Sequence, residues 1–324
     1  MIIDTHIHII VKEITKEFTN NSQSPQLQND QDNIKLKFNN KILNSVLFDF
    51  IELDNILTQQ KKHGYIKFVL SPWSSLFHYD LDLKYALETN RIQNNALSKI
   101  AREYQNHLIA LGMVPLQDID ASISELNYCM DQGLKGVEIG TNVNGKYLGE
   151  EIFRPFWSEV ERLGAVVQIH PVPGIGGPTN RQFYLWNAFA NPAETALTAS
   201  HMILSGLMEE YPNLKIQLFH GGGYLPYQIG RLDHAFEVRT ESSSRISRKP
   251  SEYLKLFYFD TIVHSIEALE YLINLVGIDK VMVGSDYPFD MGEYQPKNLI
   301  DNLNLKVEQK NKILYQNAEK LFGI

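Results

Sequence analysis

Five side chains in this 324-residue sequence have the chemistry to hold a metal ion and move a proton: His6, His8, His170, His220 and Asp286. His6 and His8 are separated by one residue, so an extended backbone would project both imidazoles to the same side. His170 is followed by Pro171, His220 by Gly221-Gly222-Gly223, and Asp286 lies in Gly284-Ser285-Asp286-Tyr287-Pro288. Each ends a short apolar run. Singly, each has an ordinary explanation, because a histidine at a strand end is usually a hydrogen-bonded structural residue and an aspartate there often caps the next helix. Jointly they put several polar groups at the ends of different strands. Burying them unpaired is costly. A single divalent cation taken up by imidazole nitrogens and one carboxylate would offset that cost.

The elements that must position these groups can be read from the apolar pattern. Candidate strands are 1–5, 66–71, 108–114, 135–140, 165–170, 214–220, 256–261 and 280–286. Continuous apolar, often β-branched runs are what a parallel sheet buried on both faces requires. Amphipathic stretches lie between them near 50–63, 84–105, 119–132, 150–163, 193–211, 224–239 and 264–277, and 297–322 reads as two or three short closing helices. Asp118 and Gly133 flank the third stretch as an N-cap and a C-terminal glycine would, and Pro192 opens the fifth. An eightfold β-α alternation predicts an α/β fold, a (β/α)8 TIM barrel, as one domain spanning 1–324. A doubly wound open sheet is the alternative, but no glycine-rich phosphate turn follows an early strand.

Residues 12–49 break the alternation. The tract Asn20–Asp30 is polar and reads as a loop, followed by a small hairpin over Ile34–Phe38 and Lys41–Leu43. An insertion after the first strand of a barrel sits over the face where active sites are built, so 12–49 is expected to cover the site.

Composition narrows the function. The net charge is -8 with 44% hydrophobic residues, and no basic cluster stands out, which argues against a nucleic-acid partner. The one cysteine, Cys129, lies in a helical pattern with Leu126 and Met130 and reads as buried packing, which excludes an internal disulfide framework or a cysteine-rich zinc module. The N-terminus lacks a basic segment followed by an apolar one, and no apolar run approaches the roughly 18–20 residues of a membrane span. The expectation is a cytoplasmic protein without a membrane partner.

The motifs His6-Ile7-His8, His170-Pro171, Phe219–Gly223 and Gly284–Pro288 resemble those of the amidohydrolase superfamily. With Gly136–Thr141, Pro192–Thr195, Gly230–His234 and Asp286–Phe289, the chain is similar to the aminocarboxymuconate-semialdehyde decarboxylase group of metal-dependent decarboxylases. The resemblance covers about residues 1–10 and 50–322. It implies a carboxy-lyase that binds one divalent metal ion through His6, His8, His170 and Asp286, with Zn2+ expected and Mn2+ as the alternative. It further implies that His220 and Asp286 handle protons, that the substrate is a small conjugated or aromatic carboxylic acid, and that the protein is a homodimer. Arg231 and Arg239 lie on the helix expected after the sixth strand, and in the family an arginine from this region reaches the neighbouring subunit's site, so Arg239 is a substrate-binding candidate.

One departure matters. Such decarboxylases usually carry an arginine in the insertion, where this chain has Asn44 and Leu47, and no arginine occurs before Arg91. The planar fork that grips a carboxylate is missing there. Lys35, Lys37 or Lys41 could substitute as point charges, and Arg181 is another candidate. Tyr184 and Trp186, in an aromatic stretch after the fifth strand, could form a wall for a planar substrate. The missing arginine keeps open a metal-dependent hydrolase of a lactone, amide or ester, since hydrolysis uses the same residues. A non-catalytic metal-binding barrel is a third reading, disfavoured by the complete five-residue set. Glu138 occupies a strand position where some superfamily members place a ligand for a second metal. Its simpler role is a carboxyl hydrogen-bonded within the barrel interior, and one metal is expected.

Overall fold

The computed structural model describes residues 1–17, 26–30, 33–38, 41–43, 47–175 and 182–324. Eight parallel strands form its centre: β1 (Ile3–Ile9), β2 (Lys67–Pro72), β3 (Leu108–Ala110), β4 (Gly136–Gly140), β5 (Val166–His170), β6 (Lys215–Leu218), β7 (Tyr258–Asp260) and β8 (Val281–Met282). One ladder runs β1-β2-β3 and the other β4-β5-β6-β7-β8. Hydrogen bonds across two seams join them into a ring. At one seam Glu138 N donates to Gly112 O (2.8 Å) and Gly112 N to Gly136 O (2.9 Å). At the other, Thr5 N donates to Val283 O and His8 N to Tyr287 O, both at 2.9 Å. The sheet is therefore a closed (β/α)8 barrel, not a doubly wound open sheet.

The surrounding helices are α1 (Leu53–Lys62), α2 (Leu83–Glu103), α3 (Ile119–Asp131), α4 (Arg154–Leu163), α5 (Asn191–Leu204), α6 (Leu225–Val238), α7 (Ile266–Val276) and α8 (Asn317–Phe322). Local chemistry sets their ends. The Asp118 carboxylate accepts from Ala121 N at 2.9 Å to start α3. Helix α4 has a proline in its first turn and ends at the left-handed Gly164. Its Phe156, Trp157 and Val160 are fully buried against the barrel, and the Trp157 indole N–H is satisfied by Leu148 O at 2.9 Å.

Under the C-terminal mouth lies a polar layer in place of the usual aliphatic one. The Ser71 hydroxyl donates to Gln168 Oε1 (2.7 Å), Gln168 Nε2 donates to Gln217 Oε1 (2.9 Å), and Gln217 Nε2 donates to Thr5 Oγ1 (2.7 Å). All four side chains are fully buried. Because each donor meets an acceptor, the layer is a rigid floor and not an unpaid desolvation cost.

Three expectations change. The predicted helix 193–211 is two helices, α5 and Leu207–Glu210, because Gly206 turns left-handed between them. The strands predicted at 108–114, 214–220 and 280–286 end earlier, at Ala110, Leu218 and Met282, so His220 and Asp286 lie beyond their ladders in turns, whereas the strand predicted at 1–5 runs to Ile9 and carries His6 and His8 within it. Within 12–49, the hairpin Asn33–Phe38/Lys41–Leu43 is present, but Gln26–Asp30, read as part of a loop, pairs antiparallel with Asn33–Lys37 as a third strand. Backbone pairing across the short connection between Asp30 and Asn33 satisfies amides that a polar composition alone does not place. Among the described residues no helix is long and apolar enough to cross a membrane.

Candidate metal centre

His6 and His8 enter from β1, His170 from the last position of β5, and Asp286 from the turn after β8. All four are buried, and one ligand atom from each lies within 4.8 Å of every other. His6 Nε2 is 3.1 Å from His8 Nε2, and Asp286 Oδ1 is 3.2 and 3.3 Å from the same two nitrogens. The β1–β2 register shifts between Asp4 and Ile7, immediately beside these residues.

The opposite ring nitrogen of each imidazole is held from outside. His6 Nδ1 is 2.8 Å from Asp260 Oδ2, His8 Nδ1 is 3.3 Å from Pro72 O, and His170 Nδ1 is 2.8 Å from Pro171 O. A carbonyl can only accept, so His8 and His170 carry the proton on Nδ1 and aim a lone pair from Nε2 at the shared point. The His6 ring also lies flat on Phe219, with centroids 3.4 Å apart and planes 9° apart.

Charge favours a cation at the same point. Burial alone would raise the Asp286 carboxyl, but His6, with hydrogen bonds from His220, His6 and His8, holds it well below the usual carboxylate range. Burial opposes charge on His6 too, yet Asp286 and Asp260 lift it to about 10. Burial lowers His8 and His170, keeping both imidazoles neutral. The carboxylates thus draw positive charge to a spot that three Nε2 atoms surround, and a divalent cation fits this donor set.

Two further aspartates hold the frame. Asp260 ends β7, is fully buried, and accepts from His220 N (2.9 Å) and Gly221 N (2.8 Å) as well as from His6. Asp4 accepts from His6 N (3.1 Å), Ser285 N (3.0 Å) and the Ser285 hydroxyl, tying β1 to the turn that carries Asp286. His220 begins a turn in which residues 220–223 all have positive φ. Glycine is required at 223, where a Cβ would come within 2.0 Å of Pro192 O. This turn brings His220 Nε2 to 3.3 Å from Asp286 Oδ2. His220 and Asp286 then face a cavity of about 320 Å3, lined also by Asn187, Asn191, Tyr224 and His264.

The amidohydrolase family matches residues 3–324. The chain belongs to the amidohydrolase family. A 2-amino-3-carboxymuconate-6-semialdehyde decarboxylase of Dictyostelium discoideum is 38% identical over 259 residues, 79% of this chain and 72% of the relative. The 5-carboxyvanillate decarboxylase of Sphingomonas paucimobilis has a TM-score of 0.86 at 23% identity, covering 100% of this chain and 99% of that one. A 5-carboxyvanillate decarboxylase of Novosphingobium aromaticivorans, with a TM-score of 0.85 at 22% identity over 100% and 96% of the chains, was solved with manganese and 4-hydroxy-3-methoxy-5-nitrobenzoic acid.

The barrel of this amidohydrolase brings together all five residues singled out from sequence. Of the proposed substrate contacts, Arg181 lies outside the described residues, as do the side chains of Lys35, Lys37 and Lys41. Tyr184 and Trp186 meet edge to face, 5.0 Å between centroids, and Tyr184 OH donates to Asp290 at 3.1 Å. Neither lines the cavity. Arg239 is exposed and paired with Glu241. Glu138 is fully buried, but neither carboxyl oxygen makes a hydrogen bond among the described residues; its Oε2 is 3.8 Å from His8 Nδ1. Burial raises it to about 8, which leaves it a neutral acid at pH 7, and it is not in the four-donor cluster.

Sequence reasoning missed Asp4, Asp260, Phe219, Asn187, Asn191 and Tyr224, and left His264 without a role. Asp260 carried the same signal as His170, a polar residue closing an apolar strand. Asp4 looked like an ordinary strand residue, and the cavity residues come from loops and helix starts that only the fold brings together.

Proposed function

We propose that this amidohydrolase is a decarboxylase that releases CO2 from a small conjugated or aromatic carboxylic acid. The observation that carries the reading is the convergence of His6, His8 and His170 Nε2 with Asp286 Oδ1, with His220 beside them at the edge of a cavity. The relatives named above, all decarboxylases, support the reaction type. His6, His8, His170 and Asp286 would hold one divalent cation. The nitrogen-rich set suits Zn2+, and the manganese in a solved neighbour supports Mn2+ as the alternative. When bound, the cation supplies Lewis acidity that stabilises the negative charge left as the carbon–carbon bond breaks. The carbon that loses CO2 must gain a proton, and the His220–Asp286 pair is placed to deliver it. Asp260 keeps His220 and His6 in one orientation, so less reorganisation is needed as charge moves.

The insertion and Arg181 would supply the outer contacts to the substrate, with Tyr184 and Trp186 beyond the cavity's own lining. We place the protein in the cytoplasm, consistent with its single buried thiol. A homodimer is the reading that the exposed aromatics Phe183, Trp186, Phe189, Tyr224 and Tyr227 favour, Tyr224 among them lining the cavity. In such a dimer Arg239 would act on the other subunit's site.

Hydrolysis of a lactone, amide or ester is the second reading. It is favoured by one observation: no arginine precedes Arg91, and Arg91 is bound to Glu125 on the outside of the barrel. CO2 release assayed across muconate-type and hydroxybenzoate-type acids separates the two. Turnover of lactones or esters with no CO2 from any acid would overturn the decarboxylase reading.

A further inference from the structure

Of the three imidazoles, His170 alone is held by the carbonyl of its own neighbour, on a loop leaving the barrel. Pro171 O, which accepts from His170 Nδ1, belongs to the same peptide plane as Val172 N–H. That N–H donates to Thr141 Oγ1 at 3.2 Å. The Thr141 hydroxyl proton in turn goes to Glu194 Oε2 at 3.3 Å. Thr141 N also donates to His170 O at 3.0 Å, so the peptides on both sides of Pro171 are tied to Thr141. Glu194 is 1% and Thr141 0% exposed.

We infer that Glu194 and Thr141 are positioning residues for the His170 imidazole, acting through the Pro171–Val172 peptide; the inference rests on the metal-centre reading above. A hydroxyl has one proton. While Glu194 accepts it, the Thr141 lone pairs are left to face Val172 N–H, and the peptide cannot rotate without losing bonds at both ends. That plane fixes Pro171 O and with it the tautomer and direction of His170. Glu194 is itself held by Asn142 Nδ2 (3.0 Å), Tyr147 OH (3.2 Å) and Ile175 N. Four donors on one side chain call for a carboxylate, which accepts at both oxygens and donates at neither. The loop backbone lies directly on it, since a Cβ at Gly174 would come within 2.2 Å of Glu194 Oε1. Helix α5 therefore reaches the metal centre without touching it.

The test is Mn2+ affinity of metal-stripped full-length protein, followed by electron paramagnetic resonance of free Mn2+, with folding checked by circular dichroism. Thr141→Val, which keeps the shape and removes the hydroxyl, should weaken Mn2+ binding roughly tenfold, the lower end for groups that orient a ligand. Thr141→Ser should restore affinity to within about twofold of wild type. A folded Thr141→Val that binds Mn2+ as wild type does, or an equal loss in both variants, would overturn the inference. If Thr141→Val does not fold, Glu194→Gln is read by the same criterion. Wild-type protein that binds neither Mn2+ nor Zn2+ would instead sink the metal-centre reading itself.

Discussion

His220 and Asp260 touch the same chemistry from two sides and should fail differently. His220→Asn should keep the metal and lower kcat by about 100-fold or more, the contribution typical of a positioned proton-transfer group. Loss of metal in that variant would make His220 a ligand. Asp260→Asn cannot accept as a carboxylate from His6, His220 and Gly221 at once, so metal affinity should fall on the order of 10- to 100-fold, measured by chelator competition. A third residue reports on pH. Burial, only partly offset by Asp80, pushes His78 down to about 4 from its ordinary 6.5. The folded protein then resists a proton that the unfolded chain takes up below 6.5. Stability should be full above pH 6.5 and decline as pH falls toward 4, by an amount on the order of 3 kcal/mol. His78→Asn, tolerated at the left-handed φ of 57°, should show a shallower decline in urea unfolding between pH 7 and 5. An equal decline in both proteins would assign the effect elsewhere.

The elements matter through their ends. Five of the eight predicted strands carry a site residue at or just past the C-terminal end: β1, β5, β6, β7 and β8. Four of these were legible because a polar side chain closing an apolar run is visible in one dimension. The turns that follow β6 and β8 were not, because positive φ at His220 and Asp286 is imposed by contacts with Asp260, Asp4 and Pro192 from distant strands and helices. Element ends also separate stability from function. Asp118→Ala removes the α3 cap and should cost about 1 kcal/mol in denaturant unfolding with metal content unchanged. Gly223→Ala meets both a positive φ and the Pro192 carbonyl, so it should be destabilising by more than a cap and should also lower turnover by displacing His220.

The whole molecule is a closed ring, and closure makes the centre possible. The seam hydrogen bond from Asp286 N to His6 O, 2.8 Å long, joins residues from opposite ends of the chain and places a carboxylate against two imidazoles. A cation at that seam would link the first and last strands, so it should bind the folded state alone. Stripping the metal with a chelator should abolish turnover and lower Tm, and Zn2+ or Mn2+ should restore both. Metal present at a hundred times its Kd would contribute about 2.7 kcal/mol to stability. An unchanged Tm on stripping would argue against a site that bridges the seam.

The amino-acid sequence alone determined the alternation of strands and helices, the ring of histidines and aspartate at strand ends, and the nitrogen and oxygen character of the site. Those features depend on local periodicity and on residue type, which are present in one dimension. The tertiary structure decided which nitrogen of each imidazole faces inward, that Asp260, Asp4 and Glu194 brace the centre, and that Asn187, Asn191 and His264 border the cavity with His220. Apart from His170, whose Nδ1 meets the carbonyl of the next residue, these depend on partners from about 20 to 280 positions away, and only folding brings such groups within hydrogen-bonding distance.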